Sequence, residues 1–214
     1  MQIVRGKTVK LPRELLLMQR VGTYVGVIQL LDFFELPNEY LLVLERPEPC
    51  PDLFSYARDR GNRLDEDQAT DFLRQLVQTL QLCHERGVLH RDVKPENILV
   101  QLDTGDLKLL DFGCGCDLQD SVYSTFSGEC RWPKWWGTPH YTPPEWIQHS
   151  GYRGVPDTVR SLGVLLFAIT CGDLPFQTDE EIVQDFEDLV RDCLAHNPKV
   201  RPSLEGILRY TAMR

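Results

Sequence analysis

Between His90 and Gly113 the chain reads HRDVKPENILVQLDTGDLKLLDFG, and this stretch leaves few folds open. Two short apolar runs, Ile98 to Val100 and Leu107 to Leu110, flank a turn at Asp103-Thr104-Gly105-Asp106. That pattern predicts a β-hairpin. Pairing its strands brings Asn97 and Asp111 together at one end, as hard oxygen ligands suited to a Mg²⁺ that still carries water and phosphate oxygens. Asp92, just upstream, is placed to accept a proton from a hydroxyl attacking that phosphate, and Lys94 to stabilise the charge that moves. The chemistry these residues point to is phosphoryl transfer.

The same stretch resembles the catalytic loop and metal-binding motif of the protein kinases, H-R-D-x-x-x-x-N followed by D-F-G. The lysine of HRDVKPEN resembles the serine/threonine branch. The resemblance implies ATP and Mg²⁺ as cofactors, Asp92 as base, Lys94 as charge stabiliser, and Asn97 and Asp111 as metal ligands; His90 and Arg91 then have structural parts. It also implies that Thr138, in Gly137-Thr138-Pro139, lies against the catalytic aspartate and lysine. Glu145 is expected in a buried pair with a distant arginine, which Arg201 matches. Within the kinases, LERPEPCPDLF (44–54), GVLHRDVKPENILV (87–100), PPEWI (143–147), CGDLPF (171–176) and DEEI (179–182) resemble the Pim family. That likeness runs from Glu14 onward. It implies that Glu45 to Pro47 is a hinge bounding the adenine site, where the proline removes a backbone N–H. Glu14 matches the glutamate of the helix that the family calls αC.

The 214 residues, 42% hydrophobic and 26% charged, are enough for one domain or two small lobes. A net charge of −9 argues against a nucleic-acid binder and suits basic partners. Asp52 and Glu96 match positions that line the peptide groove in basophilic kinases, so protein substrates with basic residues near the target Ser or Thr are expected. The seven cysteines show no metal-ligand spacing, and Cys114 and Cys116 are poorly spaced for zinc or a disulfide. With no apolar signal core at the N-terminus, a cytoplasmic setting extending to the nucleus is expected. The apolar run Leu162 to Cys171 is short for a membrane span and reads as a buried helix. The protein is expected to be a monomer.

Taken in order, residues 1–10 give no structural signal, and Gly6-Lys7-Thr8 reads as a chance likeness to a phosphate-binding loop. Pro12 suits a first helical residue, with Leu11, Leu15 and Met18 on one face. Strands are expected at 25–34 and 40–45, joined by a turn at Leu36-Pro37-Asn38. Asp52 should cap a short helix ended by Gly61, and Asp65 with Gln68 resembles a capping box. The helix after it buries Phe72, Leu73, Leu76, Val77, Leu80 and Cys83 and stops at Gly87, with His84 packed near its end. The expected fold is α+β and protein-kinase-like. Residues 1–45 are a small lobe of one helix and a hairpin, 46–50 a hinge, and 51–214 a helical lobe. On this reading the chain starts at αC, without a glycine-rich loop or strand lysine, and neither Lys7 nor Lys10 replaces that lysine. Transfer by these 214 residues alone is then expected to be weak, and a non-catalytic binding module stays open as the alternative. Three further departures from the family stand out: the Trp-rich insertion 127–136, one continuous helix over 179–195, and Arg160 where a tryptophan is usual.

Overall fold

The computed structural model describes residues 2–4, 7–9, 11–124, 137–175 and 192–212. The insertion at 127–136 and most of the interval 179–195 lie outside the described residues. Residues 2–4 and 7–9 do carry structure: β1 (Gln2–Val4) pairs antiparallel with β2 (Lys7–Val9). The small lobe therefore has two hairpins, which corrects the single hairpin expected. β-Branched Ile3, Val4, Thr8 and Val9 favour extended backbone, but six paired residues are too short a run to show in periodicity.

Helix α1 (Arg13–Val21) begins one residue later than expected, because Pro12 sits at the cap with extended ψ. It buries Leu15, Leu17, Met18 and Val21. Arg20 on its outer side pairs with Asp117 and ties the helix to the larger lobe. The next hairpin, β3 (Leu30–Glu35) and β4 (Tyr40–Leu44), is shorter than expected at its start. Residues 26–28 join a different partner: Ile28 N donates to Leu109 O at 2.9 Å and Leu109 N to Gly26 O at 2.8 Å. A single strand over 25–34 is thereby divided between two neighbours.

The helical lobe is built on α3 (Glu66–Glu85) and α5 (Gly154–Cys171). The 3.6-residue apolar period of α3 places Phe72, Leu73, Leu76, Val77, Leu80 and Cys83 in one core with Val159, Leu162 and Leu165 of α5. Each such side chain contributes about 1.5–3 kcal/mol on burial. Asp65 caps α3 through Gln68 N at 2.8 Å, but the reciprocal arm of a capping box is not made. Gln68 Nε2 turns to the Tyr56 hydroxyl instead, at 2.8 Å, which links α3 to α2 (Leu53–Arg58). His84 is packed, as expected; burial drives its imidazole down to about 4, so it is neutral at pH 7. Among the described helices α5 alone is long and apolar enough to cross a bilayer, yet most of it is buried within the protein, as expected of a core helix. α6 (Leu204–Ala212) closes the lobe against α3.

The hairpin carrying the site is β6 (Ile98–Val100) with β7 (Leu107–Leu109). Gly105, at φ 76°, makes the left-handed turn that closes it, and Gly105 N donates to Gln101 O at 2.8 Å. β5 (Val88–Leu89) pairs with β8 (Cys116–Asp117), and β9 (Tyr123–Ser124) with β10 (Gly151–Tyr152), which follows the short helix α4 (Pro144–His149). The 3–4 hairpin contrasts with all this: Leu31, Phe34 and Leu41 are at least half exposed. A two-stranded ribbon is marginal in water. Amides of 30–44 should therefore exchange with solvent much faster than those of α3 and α5; equal protection by hydrogen-exchange mass spectrometry would contradict this.

Candidate active site

The apolar runs on either side of the site decide where its polar groups go. Val88 and Leu89 of β5, Val93, and Ile98 of β6 are all buried, so the chain between them has no freedom to drift. Asp92 is left with its carboxylate facing four donors. Thr138 N and Thr138 Oγ1 donate to Oδ1 at 3.0 and 2.9 Å. Asn97 Nδ2 and Lys94 Nζ donate to Oδ2, each at 2.9 Å. Lys94 Nζ also donates to Thr138 Oγ1 at 2.9 Å, so that hydroxyl bridges the ion pair. Burial alone would raise the Asp92 carboxyl. The hydrogen bonds from Lys94 and Thr138, with the lysine's charge, outweigh it and hold the group below its usual 3.8. Asp92 is ionised at neutral pH.

Asn97 donates a second bond to Asp92 O at 2.9 Å, which fixes its amide. Its oxygen accepts no hydrogen bond from the described residues and is open to a ligand. Leu110 N donates to Asn97 O at 3.0 Å, so the end of the hairpin brings Asp111 beside Asn97 as expected. Asp111 adopts φ 63° and accepts from Gly113 N at 3.0 Å, while its carboxylate stays exposed. One amide oxygen and one carboxylate suit a hard divalent cation that keeps water and phosphate oxygens. The residues fit Mg²⁺.

His90 is a neutral strut: Nε2 donates to Leu110 O at 3.0 Å, while Nδ1 accepts from Asp92 N at 3.3 Å. Burial pushes its pKa down, and Phe112 packs edge-on against the ring at 4.9 Å. Arg91, at φ 68°, donates through Nε to Cys114 O at 2.7 Å and through a terminal nitrogen to the Tyr152 hydroxyl at 3.2 Å.

The remaining candidates divide. Glu145 and Arg201 meet in a buried bidentate pair at 2.8 and 2.7 Å, and Arg201 also donates to Ala195 O and Pro156 O. Glu14 faces the site, but no cation among the described residues pairs with it; burial and the Asp111 charge raise its carboxyl. Glu45 is occupied by Lys108 Nζ at 2.8 Å, and Pro47 is partly exposed in the connector beyond it. Asp52 is spent on capping α2, accepting from Ser55 N and Ser55 Oγ at 2.8 and 2.9 Å. Glu96 is exposed and lines a cavity of about 260 Å³ shared with Leu53, Ala57, Thr138, Tyr141 and Ile169.

A model of the protein kinase domain matches residues 2–212. The chain belongs to the protein kinase family. Its α+β fold is the kinase fold, and the relatives narrow the branch. Serine/threonine-protein kinase pim-2 of Danio rerio is 43% identical over 97% of this chain and 70% of that protein. Serine/threonine-protein kinase prk-2 of Caenorhabditis elegans is 38% identical over 94% of this chain and 47% of its own length. CBL-interacting protein kinase 12 of Oryza sativa subsp. japonica follows at 34%, over 96% of this chain and 39% of that protein. This is a serine/threonine kinase domain of Pim type.

Two buried polar residues of α5, Arg160, which the sequence singles out, and Asp157, which it does not, lie in the core beneath the site. Arg160 does not disturb the lobe: it is fully buried and donates to Thr142 O at 3.3 Å and Leu194 O at 2.9 Å. Burial lowers its pKa to about 10. Asp157, one turn earlier on α5, is buried with Oδ1 unpartnered, and burial with the Glu145 charge raises its carboxyl well above 3.8. A raised acid in the folded state binds a proton the unfolded chain has released, so its contribution is fully present below pH 3.8 and is lost as pH rises. Asp157→Asn should therefore flatten the fall in melting temperature between pH 5 and pH 8; an unchanged slope would contradict this.

Proposed function

We propose that this domain transfers the γ-phosphate of ATP, with Mg²⁺, to serine or threonine hydroxyls in protein segments that carry basic residues. The observation that carries this reading is the ionised Asp92 carboxylate, bridged to Lys94 through the Thr138 hydroxyl and set beside the Asn97–Asp111 pair. When bound at Asn97 and Asp111, Mg²⁺ would neutralise phosphate charge and align the triphosphate.

The four donors fill the lone-pair sites of Asp92, so an incoming hydroxyl takes the place of one of them. The Thr138 amide is fixed by the backbone, and Asn97 is locked by its second bond to Asp92 O. Of the two donors that can turn, the Thr138 hydroxyl and the Lys94 ammonium, only the ammonium carries charge to follow the phosphate. Turning its ammonium toward the transferring phosphate opens Oδ2 to the substrate hydroxyl and places positive charge where negative charge develops. Asp92 then orients the hydroxyl and receives its proton.

Basic substrate flanks are supported by the exposed carboxylate of Glu96 beside this site and by the net charge of −9. Glu96 has its carboxylate available, whereas Asp52 is engaged in its cap. A pair with arginine at this exposed carboxylate contributes about 0.2–1 kcal/mol. The test is transfer from Mg·ATP to a peptide library. Asp92→Asn should lower the rate by roughly 10²–10⁴-fold while nucleotide binding persists. Glu96→Gln should weaken the preference for arginine. A preference for acidic flanks would refute the substrate class, and transfer undiminished by Asp92→Asn would refute the mechanism.

A further inference from the structure

Lys108 lies in the middle of β7, three residues before Asp111, and is only 8% exposed. Its neighbours Leu107 and Leu109 are core residues. A lysine in such surroundings is costly unless its charge is met. Its Nζ donates to Glu45 Oε1 at 2.8 Å, and Gln29 N donates to the same oxygen at 2.9 Å. Glu45 N in turn donates to Gln29 O at 2.9 Å. Glu45 stands where β4 gives way to the connector 45–50, and residues 26–29 run between that strand and β7. One ion pair thus spans from the connector, across segment 26–29, to the hairpin that ends in Asn97 and Asp111.

We propose that Lys108 is a positioning residue for the nucleotide. Alongside the backbone bonds of Val100 N to Pro51 O and Leu102 N to Pro49 O, its pair with Glu45 holds the start of the connector against β7, three residues from Asp111, so a ligand gripped at both places meets them already aligned. This rests on the ATP reading above. It also distinguishes the pair from a stability device, since a buried ion pair can often be replaced by apolar residues with no loss of stability. The double variant Lys108→Met/Glu45→Leu should keep its fold and melting temperature yet lose about tenfold in affinity for Mg·ADP, because small misplacements of gripping groups are costly.

The experiment is calorimetric titration of Mg·ADP into the wild-type chain, the double variant, Glu45→Gln, and the charge-swapped pair Lys108→Glu/Glu45→Lys. Weakened binding by Glu45→Gln and the double variant, with recovery in the swap, is the expected pattern. Where the double variant fails to fold, Glu45→Gln, which keeps volume and one acceptor oxygen, decides. Wild-type affinity in the folded variants overturns the role of Lys108 and leaves the kinase reading intact. Absence of Mg·ADP binding by the wild-type chain overturns both.

Discussion

The carboxylate of Asp92 is the constraint on which the rest of the site depends. It is nearly buried, so every one of its lone pairs needs a donor. Those donors come from its own loop, through Lys94 and Asn97, and from Thr138, 46 residues later. Fixing Asn97 for Asp92 also fixes its amide oxygen beside Asp111. Fixing Lys94 for Asp92 leaves an ammonium beside the place where phosphate charge would develop. One buried acid thus sets the position of three other functional groups.

The apparatus carries local costs. Arg91 and Asp111 both hold left-handed backbone angles, a conformation that costs a residue with a side chain roughly 1–3 kcal/mol. Each is held there by bonds of its own: Arg91 to Cys114 O and Tyr152, and Asp111 to Gly113 N. The Glu145–Arg201 pair joins the segment after Thr138 to α5, where Arg201 also donates to Pro156 O. Removing one side of such a pair costs about 3–5 kcal/mol. Glu14 is the contrasting case, because its carboxyl faces Asp111 with no cation among the described residues to offset the repulsion.

Most of the site was legible because its residues are close in sequence and a hairpin with a recognisable turn sets their register. Asn97 and Asp111 follow from the pairing of β6 with β7 alone. Thr138, Glu145 and Arg201 were legible only through resemblance, since nothing local in the chain says what they touch. Lys108 was hidden for a different reason: in Leu107-Lys108-Leu109 alternation predicts a solvated lysine, and only the arrival of Glu45 from another strand makes burial tolerable. Arg160 is tolerated in a buried helix because Thr142 O and Leu194 O accept from it, and no sequence signal links those segments to α5. The pairing of residues 2–4 with 7–9 does not show in sequence because short paired runs carry too little periodicity, and the strand expected from Val25 was divided because Leu109 offers residues 26–28 a competing edge.

The most direct test is the carbon-13 resonance of the Asp92 side-chain carboxyl, followed against pH in the wild-type chain and in Lys94→Met. If four donors hold this carboxylate ionised, it titrates below 3.8 in the wild type and moves upward when the ammonium is removed. Titration at or above that value in the wild type, or no change in Lys94→Met, would contradict the account.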